Sequence, residues 1–209
     1  MNTVQGYLLI VEDDPDIRKL LDTTLTFKGY RVITAHNGRE GMELIQKERP
    51  QIVITDIMMP QLDGFGLVHR LRIDPETRDI PVVFITATYV SRADQEFALN
   101  IGVTRFIQKP VDLDKFLAII AELLAQGPLP AIEPLKEFNF YEGYRKRLEA
   151  KLDQKIKQIA REEHLLSTRP DEANDAILAS LHQAVYERDE IKLLLNEIHK
   201  QLERYEKPQ

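Results

Sequence analysis

Few residues in this sequence have types and positions that could do chemistry: the acidic run Glu12-Asp13-Asp14, Asp56, Thr86 and the pair Lys109-Pro110. Each stands where an apolar, β-rich run stops. Carboxylates gathered at one point repel one another unless a cation joins them. Hard oxygen donors with few all-protein contacts suit Mg²⁺, which keeps some of its waters. An ammonium and a hydroxyl beside such a cation would complete a site for a transferred phosphoryl group, where charge neutralisation does most of the work.

The elements that must position these residues follow from the alternation of short β-rich runs with amphipathic segments over the first ~125 residues. Strands are expected at Tyr7–Val11, Tyr30–Ala35, Ile52–Thr55, Pro81–Thr86 and Val103–Ile107. Helices are expected from Ile17 to Phe27 with Gly29 closing, over Gly38–Glu48, Gly64–Arg72 and Arg92–Ile101 with Gly102 closing, and over Leu113–Leu124. Five such units joined by short connections make a doubly wound α/β domain. The carboxyl ends of its strands form one ligand-binding edge. Asp14 before Pro15 reads first as a helix N-cap and only second as a metal ligand, and Asp63 before Gly64 reads as turn chemistry.

Glu12, Asp13, Asp56, Thr86 and Lys109, with Asp56-Ile-Met-Met-Pro60 followed by Asp63-Gly64, resemble the receiver domain of two-component response regulators over about residues 6–126. The resemblance implies a flavodoxin-like five-stranded parallel sheet in the order 2-1-3-4-5. By the same resemblance Asp56 is the phosphoacceptor, its carboxylate acting as nucleophile on a phosphohistidine of a sensor histidine kinase. Asp13 would bind Mg²⁺ directly and Glu12 through water, with Asp56 and the backbone carbonyl of Met58 as further ligands. Thr86 would bond a phosphoryl oxygen, Ala87 would leave room for it, and Lys109 would pair with it, often held by a cis bond to Pro110. Phe106 occupies the place of the family's switch aromatic and reads equally as a core-edge phenylalanine. It lacks the hydroxyl of the tyrosine common there, so any toggling would be driven by packing.

Beyond the domain the grammar changes. Gly127–Pro134 carries three prolines in eight residues and reads as a semi-rigid linker over 127–136. From Glu137 the apolar positions Tyr141, Tyr144, Leu148, Leu152, Ile156, Ile159 and Leu166 fall at helical spacing. Ser167–Pro170 breaks the run, and Asp171-Glu172 suits the start of a second helix. There Ile177, Leu181, Ala184, Arg188, Ile191, Leu195, Ile198, Leu202 and Tyr205 alternate steps of four and three, a seam that wants a partner helix. An antiparallel hairpin over 137–207 is therefore expected. Leu178, Val185 and Leu194 widen its apolar face, so two chains are expected to join their hairpins in a four-helix bundle, making a homodimer. Residues 145–161 carry a net charge of +5 and residues 187–206 one of −2, which weakly favours pairing the two helices.

Composition narrows the remaining classes. A net charge of −6 argues against broad attraction to nucleic acid or anionic membrane, and the absence of cysteine removes thiolate chemistry. No stretch approaches the ~20 apolar residues of a membrane span, and the N-terminus does not read as a signal peptide. A soluble, cytoplasmic protein is expected. No helix-turn-helix is visible, so DNA binding is not expected. His164, His182 and His199 read as helix-surface residues rather than phosphotransfer sites, and His36 and His69 have no assigned role. A nucleophilic-aspartate phosphatase would need a second Asp two residues after Asp56, where Met58 stands. The chain is thus read as a signalling switch rather than an enzyme. The alternative is a phosphorelay intermediate or scaffold whose helical module binds RNA or a kinase; the downstream protein is not legible.

Overall fold

The computed structural model describes residues 6–87, 91–127, 130, 133–168 and 174–206. Chain contacts divide the protein into two units, Met1–Leu135 and Lys136–Gln209.

The first unit is a five-stranded parallel sheet in the order β2-β1-β3-β4-β5. Its strands are β1 (Tyr7–Val11), β2 (Arg31–Ala35), β3 (Ile52–Thr55), β4 (Val82–Thr86) and β5 (Arg105–Gln108). Its helices are α1 (Pro15–Phe27), α2 (Gly38–Lys47), α3 (Gly64–Ile73), α4 (Arg92–Asn100) and α5 (Leu113–Gln126). β1, β3 and β4 are buried throughout, as strands covered by helices on both faces must be, and this is why they read as continuous apolar runs. Leu8, Ile10, Ile52, Ile54, Val83 and Ile85 face Leu21 and Leu25 of α1 and Phe116, Ile120 and Leu123 of α5. On the other face the Phe65 ring meets Phe84 and Phe97 edge-on at 5.5 and 5.2 Å.

Asp14 caps α1, accepting from the N–H groups of Asp16 and Ile17, with Pro15 opening the helix. Gly29 and Gly102, at φ +86° and +96°, follow α1 and α4 as the sequence implies. The fifth strand begins two residues later than its apolar run suggests. The Val103 N–H closes α4 by bonding the Ala98 carbonyl, leaving Arg105 as the first residue in the ladder.

The second unit is two helices, α6 (Glu137–Thr168) and α7 (Asn174–Glu206), each about 48 Å long. Three contacts set their register: Tyr205 Oη donates to Glu137, Lys155 pairs with Glu187 at 2.5 Å, and Ser180 Oγ donates to Glu162. From Glu137 to Glu162 the chain advances 25 residues on α6, and from Tyr205 to Ser180 it retreats 25 on α7, so one antiparallel register holds throughout. The α7 seam follows the expected one at Ala184, Ile191, Leu195, Ile198 and Leu202, which are buried, whereas Ile177, Leu181 and Arg188 are half-buried and Tyr205 is 47% exposed.

The α6 seam keeps Tyr144, Leu148 and Ile159 of the expected run and departs from it elsewhere. It runs through Phe140, Tyr144, Leu148, Lys151, Ile159 and Glu162, while Ile156 is 49% exposed and Tyr141 and Leu152 only half-buried. Polar side chains hold those seam positions because they find partners there: Glu162 accepts from Gln158 and Ser180, and Lys155 meets Glu187. Helix α6 also continues through Ser167 and Thr168, whose hydroxyls donate to the His164 carbonyl. The rest of the expected break, Arg169-Pro170, the expected helix start at Asp171-Glu172 and part of the expected linker, at 128–129 and 131–132, lie outside the described residues.

Candidate functional site

The site is assembled where β1, β3, β4 and β5 end. Glu12 and Asp13 follow β1 directly, Asp56 follows β3, Thr86 closes β4 and Lys109 follows β5. Glu12, Asp13 and Asp56 each place a carboxylate oxygen within 4.8 Å of the others. The Lys109 ammonium lies between them, 2.6 Å from Asp56 Oδ2 and 2.9 Å from Glu12 Oε2. Asp56 Oδ1 accepts the Ile57 N–H at 2.5 Å, and the Met58 N–H also donates to this carboxylate. Three carboxylates against one ammonium leave a net charge of −2 if all are ionised.

Burial and mutual repulsion shape the titration of this cluster. Burial pushes Glu12 up to about 7, Asp56 adds to the rise, and Lys109 opposes it. Burial also raises Asp13, with Asp56 adding to it. Asp56 is raised by burial against the pull of Lys109 and of the Ile57 and Met58 N–H groups. For Lys109, burial favours the neutral amine, but the carboxylates of Asp56 and Glu12 outweigh it and raise its affinity for the proton. The carboxylates thus prefer to share protons among themselves, or to share a cation.

The remaining expected residues frame this cluster. Thr86 is fully buried, and its carbonyl accepts the Lys109 N–H at 3.0 Å. Ala87 follows it at the exposed surface. The Lys109–Pro110 peptide bond is cis. Phe106 pairs with Phe84 across the β4–β5 ladder, half-buried, its ring edge-on at 6.3 Å. Asp14 stays outside the cluster as the α1 cap. Asp63 caps α3, accepting the Gly66 N–H at 2.8 Å, and is likewise outside it.

Two supporting residues escaped the sequence reading. The Arg18 guanidinium donates to the carbonyls of Glu12 and Asp13 at 2.6 and 3.1 Å, fixing the loop that carries both carboxylates. Its position one turn into a helix capped at Asp14 was the signal, since such a side chain reaches back over the cap. Gly64 was read as the start of a helix and as part of the Asp63-Gly64 motif, without a contact to Asp56. A Cβ there would lie 2.4 Å from the Asp56 carbonyl and 2.9 Å from Ile57 Cα, so only glycine admits this approach of α3 to Asp56.

Comparison with known proteins agrees with this geometry. Residues 8–121 match the family model of the response regulator receiver domain. The chain is 38% identical over 127 residues to the "Probable transcriptional regulator ycf27" of Porphyra purpurea, covering 61% of this chain and 51% of that protein. It is 35% identical over 121 residues to the uncharacterized 14.6 kDa protein in the sodA1 3′ region of Leptolyngbya boryana, covering 58% of this chain and 92% of that one. Among solved structures, the signal receiver domain of a signal transduction histidine kinase from Syntrophus aciditrophicus matches with a TM-score of 0.54 and 33% identity, covering 58% of this chain and 91% of that one. The chain spans about half the length of the ycf27 relatives, and the matched family model falls on its first unit. With that sheet order and that cluster at its carboxyl edge, the chain belongs to the response regulator receiver-domain family.

Proposed function

We propose that this protein accepts a phosphoryl group on Asp56 from a phosphohistidine of a sensor histidine kinase and relays the change through its helical hairpin. The observation that carries the reading is the convergence of Glu12, Asp13 and Asp56 on one point with the Lys109 ammonium between them. In the transfer an Asp56 carboxylate oxygen bonds to phosphorus as the phosphorus–nitrogen bond of the donor histidine breaks. The imidazole leaves, and an aspartyl phosphate remains.

The donor set fits Mg²⁺. It is all oxygen and carries excess negative charge, and its Glu12 and Asp13 carboxylates are raised by burial and by Asp56 in a way a divalent cation would relieve. Asp13, Asp56 and the Met58 carbonyl would hold the ion, with Glu12 reached through water. When bound, it supplies charge neutralisation on the phosphoryl oxygens. Lys109 pairs with the phosphoryl group, which requires its ammonium to turn from Glu12, and the Thr86 hydroxyl bonds a phosphoryl oxygen. Phe106 then repacks against Phe84. This is chemistry on the protein's own side chain, not turnover of a substrate, apart from hydrolysis of its own acyl phosphate.

The hairpin is read as a protein-directed output that joins a second copy. The RNA alternative is weakened by the fate of the basic run on α6: Lys146 pairs with Glu142, Lys157 with Asp153 and Lys155 with Glu187, and Lys151 is buried. Within the described residues no helix is long and apolar enough to cross a membrane. The protein is read as cytoplasmic.

The test is modification with Mg²⁺ and acetyl phosphate, read by intact mass, for the wild type and Asp56→Asn. Addition of one phosphoryl group to the wild type alone is expected. No addition, or equal addition to both, overturns the reading.

A further inference from the structure

Polar residues share the seam in the outer half of the hairpin: Lys155 pairs with Glu187 and Ser180 donates to Glu162 between the helices, while Lys155 and Gln158 donate along α6 to Gln158 and Glu162. Ile159 and Ala184 are buried in the seam beside them, and other aliphatic residues of that half lie outside it. Which side they occupy follows from helix geometry. In an antiparallel pair of right-handed helices, positions one step C-terminal to the seam share one side, and positions one step N-terminal share the other. The steps after Lys151, Lys155, Ile177 and Ala184 are Leu152, Ile156, Leu178 and Val185, and Leu181 leans the same way. Ile156 and Leu178 are 49% and 38% exposed, and the other three are half-buried. The steps before Lys155, Glu162, Ala184 and Ile191 are Gln154, Arg161, Gln183 and Glu190. Leu165 and Leu194 also fall on that polar side, but the register separates them by about 25 Å.

We propose that two copies of this chain join through the side bearing Leu152, Ile156, Leu178, Leu181 and Val185, with their hairpins parallel. This rests on the homodimer reading above and gives it a face and a direction. The five aliphatic residues span about 18 Å of one side, a contiguous apolar strip that a lone hairpin leaves in water. A closed pair of copies requires a surface that fits itself about a dyad. A dyad along the helices sets α6 against the partner's α7 at equal height. The register then brings Ile156 onto the partner's Val185, and Glu149, 49% exposed, beside the partner's Lys192. A dyad across the helices sets α6 against α6 and α7 against α7, and Glu149 never meets a lysine. Exposed pairs of this kind add little energy but decide direction.

The chain contains no cysteine, so an introduced thiol reports unambiguously. Full-length Ile156→Cys, Val185→Cys and Gln183→Cys are purified singly and co-expressed in pairs, sized by light scattering and oxidised. Dimer mass is expected for all, and most of the co-expressed Ile156→Cys and Val185→Cys chains should become a covalent mixed dimer. Neither variant alone, nor Gln183→Cys with either, should do so. Efficient self-linking of Ile156→Cys overturns the parallel direction, and linking through Gln183→Cys overturns the side. A dimer in which no pair links also overturns the face. Monomer mass overturns the pairing together with the homodimer reading. Phosphoryl acceptance is judged separately, by modification of Asp56.

Discussion

Binding of Mg²⁺ to the acidic cluster should weaken steeply as pH falls through neutrality. Glu12 is held up to about 7 by burial and by Asp56, and its side chain is only 2% exposed, so solvent does little to screen the effect. Below that pH the metal-free site carries a proton that the cation must displace. One competing proton with a pKa near 7 weakens apparent affinity about tenfold between pH 8 and pH 6, about 1.4 kcal/mol. Asp13 and Asp56 are raised as well, so a steeper fall is compatible and a shallower one is not. The linkage also fixes the sign for stability. A carboxyl raised on folding stabilises the fold below its unfolded pKa, near 4.5, and that contribution is lost as pH rises through about 7. The metal-free protein should therefore lose stability over this window. Excess Mg²⁺ should restore more of it at pH 8 than at pH 6, by the same ~1.4 kcal/mol. Isothermal titration at pH 6, 7 and 8, with thermal unfolding alongside, measures both quantities. Glu12→Gln should flatten the dependence, and Asp14→Asn should leave it intact. Equal wild-type affinity at pH 6 and pH 8 would refute the assignment of a displaced proton to this cluster.

Three further outcomes follow from named contacts. Asp14→Ala removes a cap that accepts two backbone N–H groups, and should cost about 1 kcal/mol in urea unfolding with Mg²⁺ affinity unchanged; a large loss of affinity would make Asp14 a ligand. Gly64→Ala forces a Cβ to within 2.4 Å of the Asp56 carbonyl and should destabilise the fold by about 1–3 kcal/mol in the same assay, while unchanged stability would mean that α3 is free to retreat. Arg18→Ala releases the carbonyls of Glu12 and Asp13 and should weaken Mg²⁺ binding about fivefold by calorimetry, as the loss of about 1 kcal/mol implies. Arg18→Lys should recover part of that loss, and wild-type affinity in the alanine variant would show that the loop is held without it.

The receiver was legible because its chemistry is written at strand ends. β-rich runs marked where Val11, Thr55 and Thr86 stop, and the topology of a doubly wound sheet sends all of those ends to one edge. Asp14 was read as a cap because proline after aspartate has a single strong local meaning. Arg18 and Gly64 were not legible as parts of the site. Their roles depend on what the fold places over them, a pair of loop carbonyls in one case and the Asp56 backbone in the other. The hairpin misled in a different way. Apolar periodicity assigned Leu152 and Ile156 to the seam of α6, whereas the register of three polar contacts puts Lys151, Lys155 and Glu162 there. A pattern of hydrophobicity finds where oil would go. It does not see that a carboxylate with two hydrogen-bond donors beside it can take the same place.

One ammonium serves two carboxylates, Glu12 and Asp56, and on the proposed reading it turns from Glu12 to serve a phosphoryl group. The lysine backbone is tied to the end of β4 through the Thr86 carbonyl, and three residues earlier β5 carries Phe106 against the Phe84 ring. On the proposed reading, the charge added at Asp56 therefore acts on the two strand ends that hold Thr86 and Phe106, without any long chain of contacts. On that reading Phe106 offers only packing, so the energy that would separate two positions of its ring is a difference between two packed arrangements, of the order of 1 kcal/mol for such a ring pair. Transfer of a phosphoryl group with a charge near −2 into a half-buried cluster exceeds that easily. On the same reading the sensitivity of the switch would be set by how firmly Lys109 is held, and Glu12, which shares that ammonium with Asp56, would be the residue that tunes it.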